Sequence, residues 1–270
     1  MNNSPCMQSP SFTDNRVLIV ATATVMEMRA AFPGLSRHVP EEHQWKRLNS
    51  PQGGGQGRPG KNLVLLVTGV GPVNAGIALG RLLGSLSPGS SRDAPEPVGV
   101  LNLGVAGAFS LERLPLKTAV VVSEEVWPEY GLLTASGLDP KGIGLAQGKK
   151  DGEPVWDRLR LTPENDARQM GLDLSGLTKA AGLTVAGVSG TPERAEALRT
   201  GYTCDIETME GFALAWACSL DRVPFVQVRT ISNLVGSRDA AHWDLNGAKQ
   251  RLAPVASALL GDIEGTACPN

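Results

Sequence analysis

Cys204-Asp205-Ile206-Glu207-Thr208-Met209-Glu210-Gly211-Phe212-Ala213, an apolar run on to Leu220, and then Val226-Gln227-Val228-Arg229-Thr230-Ile231-Ser232-Asn233 form the stretch on which the fold is read. Met209 to Leu220 is apolar nearly all round, which fits a buried helix and puts Glu207 and Glu210 at its mouth. Charge in such a place is costly unless it is paired. Phe225 to Ile231 is β-rich and continuously apolar, the pattern of a strand buried on both faces. Beyond and within it the polar residues Arg229, Ser232, Asn233, Arg238 and Asp239 cluster. In open α/β sheets ligands collect outside the carboxyl ends of strands, so the site is expected here.

Working outward, Val17 to Ala21 reads as a first buried strand, followed by a helix from Val25 to Phe32. Glu27 then lies just inside a helix N-terminus at the carboxyl end of a strand, where the helix dipole favours a carboxylate. On pattern alone it is either a surface first-turn glutamate or part of a site. Leu63 to Val67 and Val98 to Leu103 read as further strands, each running into a glycine-containing turn: Gly69-Val70-Gly71 and Gly104-Val105-Ala106-Gly107. The second turn has no large side chain at Ala106 or Gly107, so a ligand can approach the backbone there. Thr118 to Ser123 and Leu183 to Ser189 are read as strands, and Thr191-Pro192 as a capped helix start.

Residues 49–61 are a low-complexity loop insertion whose glycines lack the spacing of a phosphate-binding loop. Residues 1–15 and 263–270 read as flexible tails around one domain spanning 16–262. The alternation of apolar strands with helices places the chain in the α/β class.

Composition narrows the partners. The 25 basic and 27 acidic residues leave a net charge of −2, spread along the chain, so no electrostatic footprint for nucleic acid or an anionic membrane exists. A small molecule is the expected partner. The longest early apolar run is too short to span a bilayer. The four cysteines and three histidines show no paired spacing, so neither a metal site nor a disulfide framework is expected. A reducing compartment, the cytoplasm, follows as the expected location.

Val188-Ser189-Gly190-Thr191, Glu207-Thr208-Met209-Glu210-Gly211, Arg229-Thr230-Ile231-Ser232-Asn233 and Arg238-Asp239 through Trp243 resemble the nucleoside phosphorylase and nucleosidase superfamily, and within it the futalosine hydrolases. The resemblance spreads over most of the chain and is densest from 183 to 251. It implies a single-domain, three-layer fold with a central mixed twisted sheet between helices. It also implies cleavage of the N-ribosidic bond of futalosine to release hypoxanthine, in the futalosine route of menaquinone biosynthesis. No cofactor is implied, and the assembly implied is a homo-oligomer.

On that resemblance Glu210 binds the ribose hydroxyls and steadies positive charge on the sugar, Met209 packs beneath it, Ala106 and Gly107 lie in the turn beside ribose and base, and Phe109, Trp127 or Phe212, with an arginine nearby, receives the aromatic carboxylate that the substrate carries beyond its 5′ carbon. Glu27 orients the attacking water, and Arg229, odd in an apolar strand, orders Glu27, the water or another carboxylate. Ser232 belongs to the base-binding turn. Arg238 is either a surface residue or reaches an acidic group on the substrate. Asn233 offers an amide donor and a carbonyl acceptor together, which suits O6 and N7 of a 6-oxopurine; an aspartate there would suit adenine.

The chain departs from the family's patterns in places. Val105 stands where some nucleosidases place a serine, Glu129-Tyr130-Gly131 replaces an aspartate-leucine-glycine, and Glu27 stands alone where others carry a run of glutamates. Ala21 to Val25 lacks the glycine of a phosphate-holding loop, which favours water over phosphate as nucleophile. A phosphate-dependent 6-oxopurine nucleoside phosphorylase and a non-catalytic nucleoside-binding protein are the alternatives.

Overall fold

The computed structural model describes residues 15–49, 62–87, 89, 94–135, 137–261 and 266–267. In chain order the first elements are β1 (Arg16–Thr22), α1 (Val25–Ala31), β2 (Gln44–Asn49), β3 (Leu63–Val67), α2 (Pro72–Leu86), β4 (Glu96–Ala108) and β5 (Ala119–Val126). Short strands follow: β6 (Leu132–Thr134), β7 (Gly137–Asp139), β8 (Gly148–Lys150), β9 (Glu153–Val155) and β10 (Arg158–Arg160). The remainder comprises α3 (Pro163–Met170), β11 (Thr178–Thr184), α4 (Pro192–Tyr202), β12 (Ile206–Thr208), α5 (Gly211–Leu220), β13 (Phe225–Leu234), α6 (Leu245–Leu260) and β14 (Thr266–Ala267).

The architecture is α/β, a mixed ten-stranded sheet with helices on both faces. β1 shows why its sequence is apolar throughout. Leu18 and Val20 pack with Met28 of α1, Met170 of α3 and Leu252 of α6, whereas Val17, Ile19 and Ala21 pack with Leu79 of α2 and Phe212 of α5. Alternate side chains of one strand feed two cores, as a period of two requires.

β4 pairs with β13, β13 with β5, β5 with β11, β11 with β12, and β12 returns to β4. These strands close a ring beside the open part of the sheet, β4-β1-β3-β2-β14. Since β1, β3, β4 and β13 run parallel, their carboxyl ends reach one edge. β12 runs antiparallel to β4, with Glu207 opposite Gly107. The chain leaving β12 therefore travels back along β4, which brings Glu210 to that same edge region.

Several boundaries differ from the sequence reading. β4 does not stop at Leu103 but continues through Gly104-Val105-Ala106-Gly107 to Ala108, because β13 and β12 keep bonding to it. The strand expected at Leu183–Ser189 lies at Thr178–Thr184. Its apolar pattern is broken because a side chain at Gly182 would meet Glu125: a Cβ there would lie 2.4 Å from Glu125 Oε1. Glu207 is a strand residue of β12 rather than part of a helix mouth, and α5 begins only at Gly211. The stretch 136–158 contains the short strands β7, β8 and β9, and β10 begins at its last residue.

The expected loop insertion lies outside the described residues after Asn49, as does the N-terminal tail before Asn15. Within 263–270, Thr266–Ala267 pair antiparallel with β2. Among the described residues no helix is long and apolar enough to cross a membrane.

Candidate active site

Glu27 is placed by the start of α1. Thr24 is the N-cap, and a full capping box forms: Glu27 N–H donates to Thr24 Oγ1 (3.1 Å), while Thr24 N–H (3.0 Å) and its hydroxyl (2.8 Å) donate to Glu27 Oε2. The other oxygen, Oε1, accepts the backbone N–H of Val105 on β4 at 3.1 Å. The position that carries a serine in some relatives thus uses its main chain to hold Glu27. The carboxylate is buried and ties β1, α1 and β4 together.

Arg229 lies two residues before Ile231, the end of the apolar part of β13, and is only 1% exposed. Gly104 makes room for it: a Cβ at 104 would sit 2.1 Å from Arg229 Nη1 and 2.8 Å from Glu27 Oε1. Glycine is required at this crossing because two charged side chains occupy the space a methyl would fill. Arg229 Nη2 forms an ion pair with Glu210 Oε2 at 3.6 Å, longer than a hydrogen bond. Among the described residues its Nε and Nη2 have no hydrogen-bond partner, so these donors remain uncommitted.

Glu210 is the buried N-cap of α5, and its side chain reaches away from its own helix. Oε1 accepts the N–H of Gly71 at 3.1 Å, at the N-cap of α2. Gly69 and Gly71 have φ of 79° and 94°, a backbone that favours glycine, and this turn aims the N–H at the carboxylate. Burial pushes the Glu210 carboxyl above the usual carboxylate range; Arg229 and the Gly71 N–H oppose that shift, and Glu27 adds to it. The three residues form a low-dielectric cluster with two carboxyl groups around one guanidinium. With both carboxylates ionised, the cluster favours a developing positive charge nearby.

Asn233 follows a register shift in β13 and pairs with Gly107 of β4. It is half-buried. Its Oδ1 lies 2.8 Å from the Ser232 hydroxyl, and its Nδ2 donates to the Leu234 carbonyl at 3.2 Å. Ser232 Oγ is also 3.1 Å from the Ala106 carbonyl, so one hydroxyl proton serves two acceptors in turn. The amide keeps a second donor hydrogen and a second lone pair for a ligand. A Cβ at Gly107 would lie 3.0 Å from Asn233 Nδ2, so glycine there leaves the amide its space.

Met209 is half-buried between the end of β12 and Glu210. Arg238 is exposed, 5.7 Å from the Trp243 ring centroid, and Trp243 makes an isolated bridge to Asn233. Phe109 follows the end of β4 and packs, half-buried, against Val126, Leu183, Val185 and Cys204, as do Leu198 and Tyr202 of α4.

Three further glutamates have contacts that the sequence reading did not foresee. Glu207 uses both carboxylate oxygens on Ser189, taking its N–H at 2.9 Å and its hydroxyl at 2.5 Å, and so fixes the loop before α4. Glu129 accepts the N–H of Ala186 at 3.0 Å and pins the chain after β11. Glu125 is wholly buried in β5 and bonds to Gln227 and Thr184. Gln227, polar within an apolar strand, was the signal available for it.

The description of the phosphorylase superfamily matches residues 17–262. The chain belongs to the phosphorylase superfamily. A futalosine hydrolase from Thermus thermophilus is 36% identical over 218 residues, covering 79% of this chain and 88% of that protein. A 5′-methylthioadenosine/S-adenosylhomocysteine nucleosidase from Geobacillus thermodenitrificans is 29% identical, covering 77% of this chain and 83% of its own length. The structure of a futalosine hydrolase mutant from Helicobacter pylori aligns with a TM-score of 0.61 at 17% identity, covering 90% of this chain and 97% of that one, and shows a shared fold. Within the superfamily the chain is an N-glycosyl hydrolase of the nucleosidase kind.

Proposed function

We propose that this nucleosidase hydrolyses futalosine, releasing hypoxanthine and leaving dehypoxanthinyl futalosine, and so serves the futalosine route of menaquinone biosynthesis. The observation that carries the reading is the neutral amide of Asn233 at the end of β13, beside the buried Glu27–Arg229–Glu210 cluster. The 36% identity to the Thermus enzyme named futalosine hydrolase supports it.

In the reaction the C1′–N bond breaks as a water oxygen bonds to C1′. The water proton passes to Glu27, and the base leaves neutral after taking a proton from solvent at N7. Asn233 Oδ1 accepts that N7 hydrogen and Nδ2 donates to O6, leaving-group assistance of the kind worth ~10²–10⁴-fold. Glu210 binds the ribose hydroxyls and, with Glu27, stabilises the oxocarbenium character of the sugar. Arg229 holds Glu210 and offers its uncommitted donors to the water. Met209 packs beneath the sugar, Ala106 and Gly107 flank ribose and base, and Ser232 sets the amide orientation. Arg238 stands at the rim, where it meets an acidic group of the substrate. The aromatic 5′ substituent suits an apolar cleft of about 520 Å³ lined by Pro72, Val73, Trp127 and Phe212, among others; Pro72 directly follows Gly71 in the chain. A cytoplasmic homo-oligomer completes the reading, supported by the exposed apolar side chains Val73 and Ile77 on α2; light scattering on the purified protein tests the assembly.

The relatives named as methylthioadenosine/S-adenosylhomocysteine nucleosidases supply the second reading, release of adenine. Asn233 argues against it, since an amide can hydrogen-bond the 6-amino group and N7 of adenine but, unlike a carboxyl, has no proton to give up to N7 as that base leaves. The test is incubation with futalosine, inosine and methylthioadenosine in phosphate-free buffer, with identification of the released base. Hypoxanthine from futalosine is the expected product. Adenine release alone, or a strict need for phosphate, overturns the proposal, and Glu210→Ala is expected to abolish turnover.

A further inference from the structure

Beneath the cluster lies a further buried carboxyl group that the reaction above does not use. Glu125 sits in the middle of the strand ring, opposite Gly182 of β11 and Leu159 of β10. It is 0% exposed. Donors converge on it from two directions: Gln227 Nε2 reaches Oε1 at 2.7 Å, and the Thr184 hydroxyl reaches Oε2 at 2.8 Å. Gln227 is in turn held by Asn102 Nδ2 at 3.1 Å. Glycines let the carboxyl in, because a Cβ at Gly211 would lie 2.1 Å from Glu125 Oε1, as one at Gly182 would clash with it.

The chain of bonds ends on the helix that presents Glu210. Thr184 Oγ1 accepts the N–H of Phe212, in the first turn of α5, at 2.8 Å. Helix N-terminal N–H groups need partners, and this one is supplied by a hydroxyl whose own proton is committed to Glu125. Gly211, pressed against the same carboxyl, directly follows Glu210. We propose that Glu125 is a positioning residue for the reaction: by receiving Thr184 and Gln227 it fixes the first turn of α5, and with it the Glu210 carboxylate against Arg229.

The direction of every donor fits the ionised carboxylate, which can only accept. Protonation forces Thr184 or Gln227 to turn, because a hydrogen then occupies one of the receiving oxygens. The charged groups facing Glu125 are Arg229 on β13 and Glu210 ahead of α5, with the Cys204 thiol near the start of β12; β10 offers Leu159 and β11 offers Thr184, neither charged. Burial pushes the Glu125 carboxyl up to about 7 against the pull of Thr184, Arg229 and Gln227, so the two forms exchange around neutral pH.

The proposal rests on the hydrolase reading, and its test separates the two. Wild type, Glu125→Gln, Thr184→Val and Thr184→Ser are compared for kcat and KM on whichever nucleoside the wild type cleaves, from pH 5.5 to 8.5. Glu125→Gln and Thr184→Val are expected to lose kcat by ~10²-fold, the scale of a misplaced catalytic group, with KM little changed. Thr184→Ser, which keeps the hydroxyl, is expected to restore most of the rate. The wild type should lose kcat as pH falls through about 7, and Glu125→Gln should lack that limb. Wild-type kcat in Thr184→Val, or the same acid limb in Glu125→Gln, overturns the proposal; the Thr184 pair decides the matter even where Glu125→Gln fails to fold. A wild type that releases no base overturns the hydrolase reading instead. In that case Trp127 emission, taken as the difference from Trp127→Phe, reads the same device, since Trp127 lies 5.8 Å from Phe212. A neutral-pH transition in that emission, absent in Thr184→Val, is expected, and no transition overturns the proposal.

Discussion

Arg229 and Asn233 stand four residues apart on one strand and are held in opposite ways. Arg229 is buried and charged, and its neighbours come from distant parts of the chain: Glu27 by way of Gly104, and Glu210. Asn233 is half-buried and neutral, and its side-chain bonds go to Ser232 and Leu234, the residues on either side of it. The charged end of the site depends on the whole fold, whereas the recognition end depends on a local turn. Chemistry and base preference should therefore separate under mutation.

The largest effect is expected at the charged end. Arg229→Met leaves two buried carboxylates without their cation, which should cost about 3–5 kcal/mol of stability, read by denaturant melts, together with base release. At the recognition end Asn233→Ala should lower kcat by ~10²–10⁴-fold while moving the melt by less than about 1 kcal/mol; an equal loss of stability would erase the contrast. Asn233→Asp should shift the preferred leaving base toward adenine, measured as the ratio of kcat/KM for the two nucleosides.

A smaller effect concerns the buried Glu125. Its folded pKa, about 7, lies above the ordinary carboxyl value of 4.5, so between these values the folded state holds a proton that the unfolded state has released. Stability contributed by this group is complete at low pH and is lost as pH rises toward 7, a span of about 3 kcal/mol. Glu125→Gln should flatten that slope in melts taken from pH 5 to 8. Smallest of all, Arg238→Ala at the exposed rim should change stability by less than about 0.5 kcal/mol and show itself only as a weaker KM for substrates carrying an acidic group.

The sequence made the two ends of the site legible to different depths. Arg229 was conspicuous because a cation in an apolar strand needs a partner, and Asn233 because the polar change came where a strand ended. The partners themselves were harder to read. Glu210 reaches Gly71, 139 positions away in sequence, and no local pattern encodes that contact. β11 was misplaced because Lys179, Ala180 and Gly182 do not look like a buried strand; Gly182 is small so that Glu125 fits. Glu125 itself was hidden in an adjacent acidic pair, Glu124-Glu125, of which only the second faces inward.

Glu27 serves two masters, as the reciprocal partner of Thr24 at the start of α1 and as a wall of the reactive centre. The first turn of α1 fixes one oxygen of this acid and β4 fixes the other, so the helix start and the reactive centre form together. The same economy makes position 27 a poor choice for disabling the protein, because a silent variant made there would be weakened as well as inert. An intact but inactive trap for substrate is better sought at the far tip of β13, where no other element leans on the side chain being replaced.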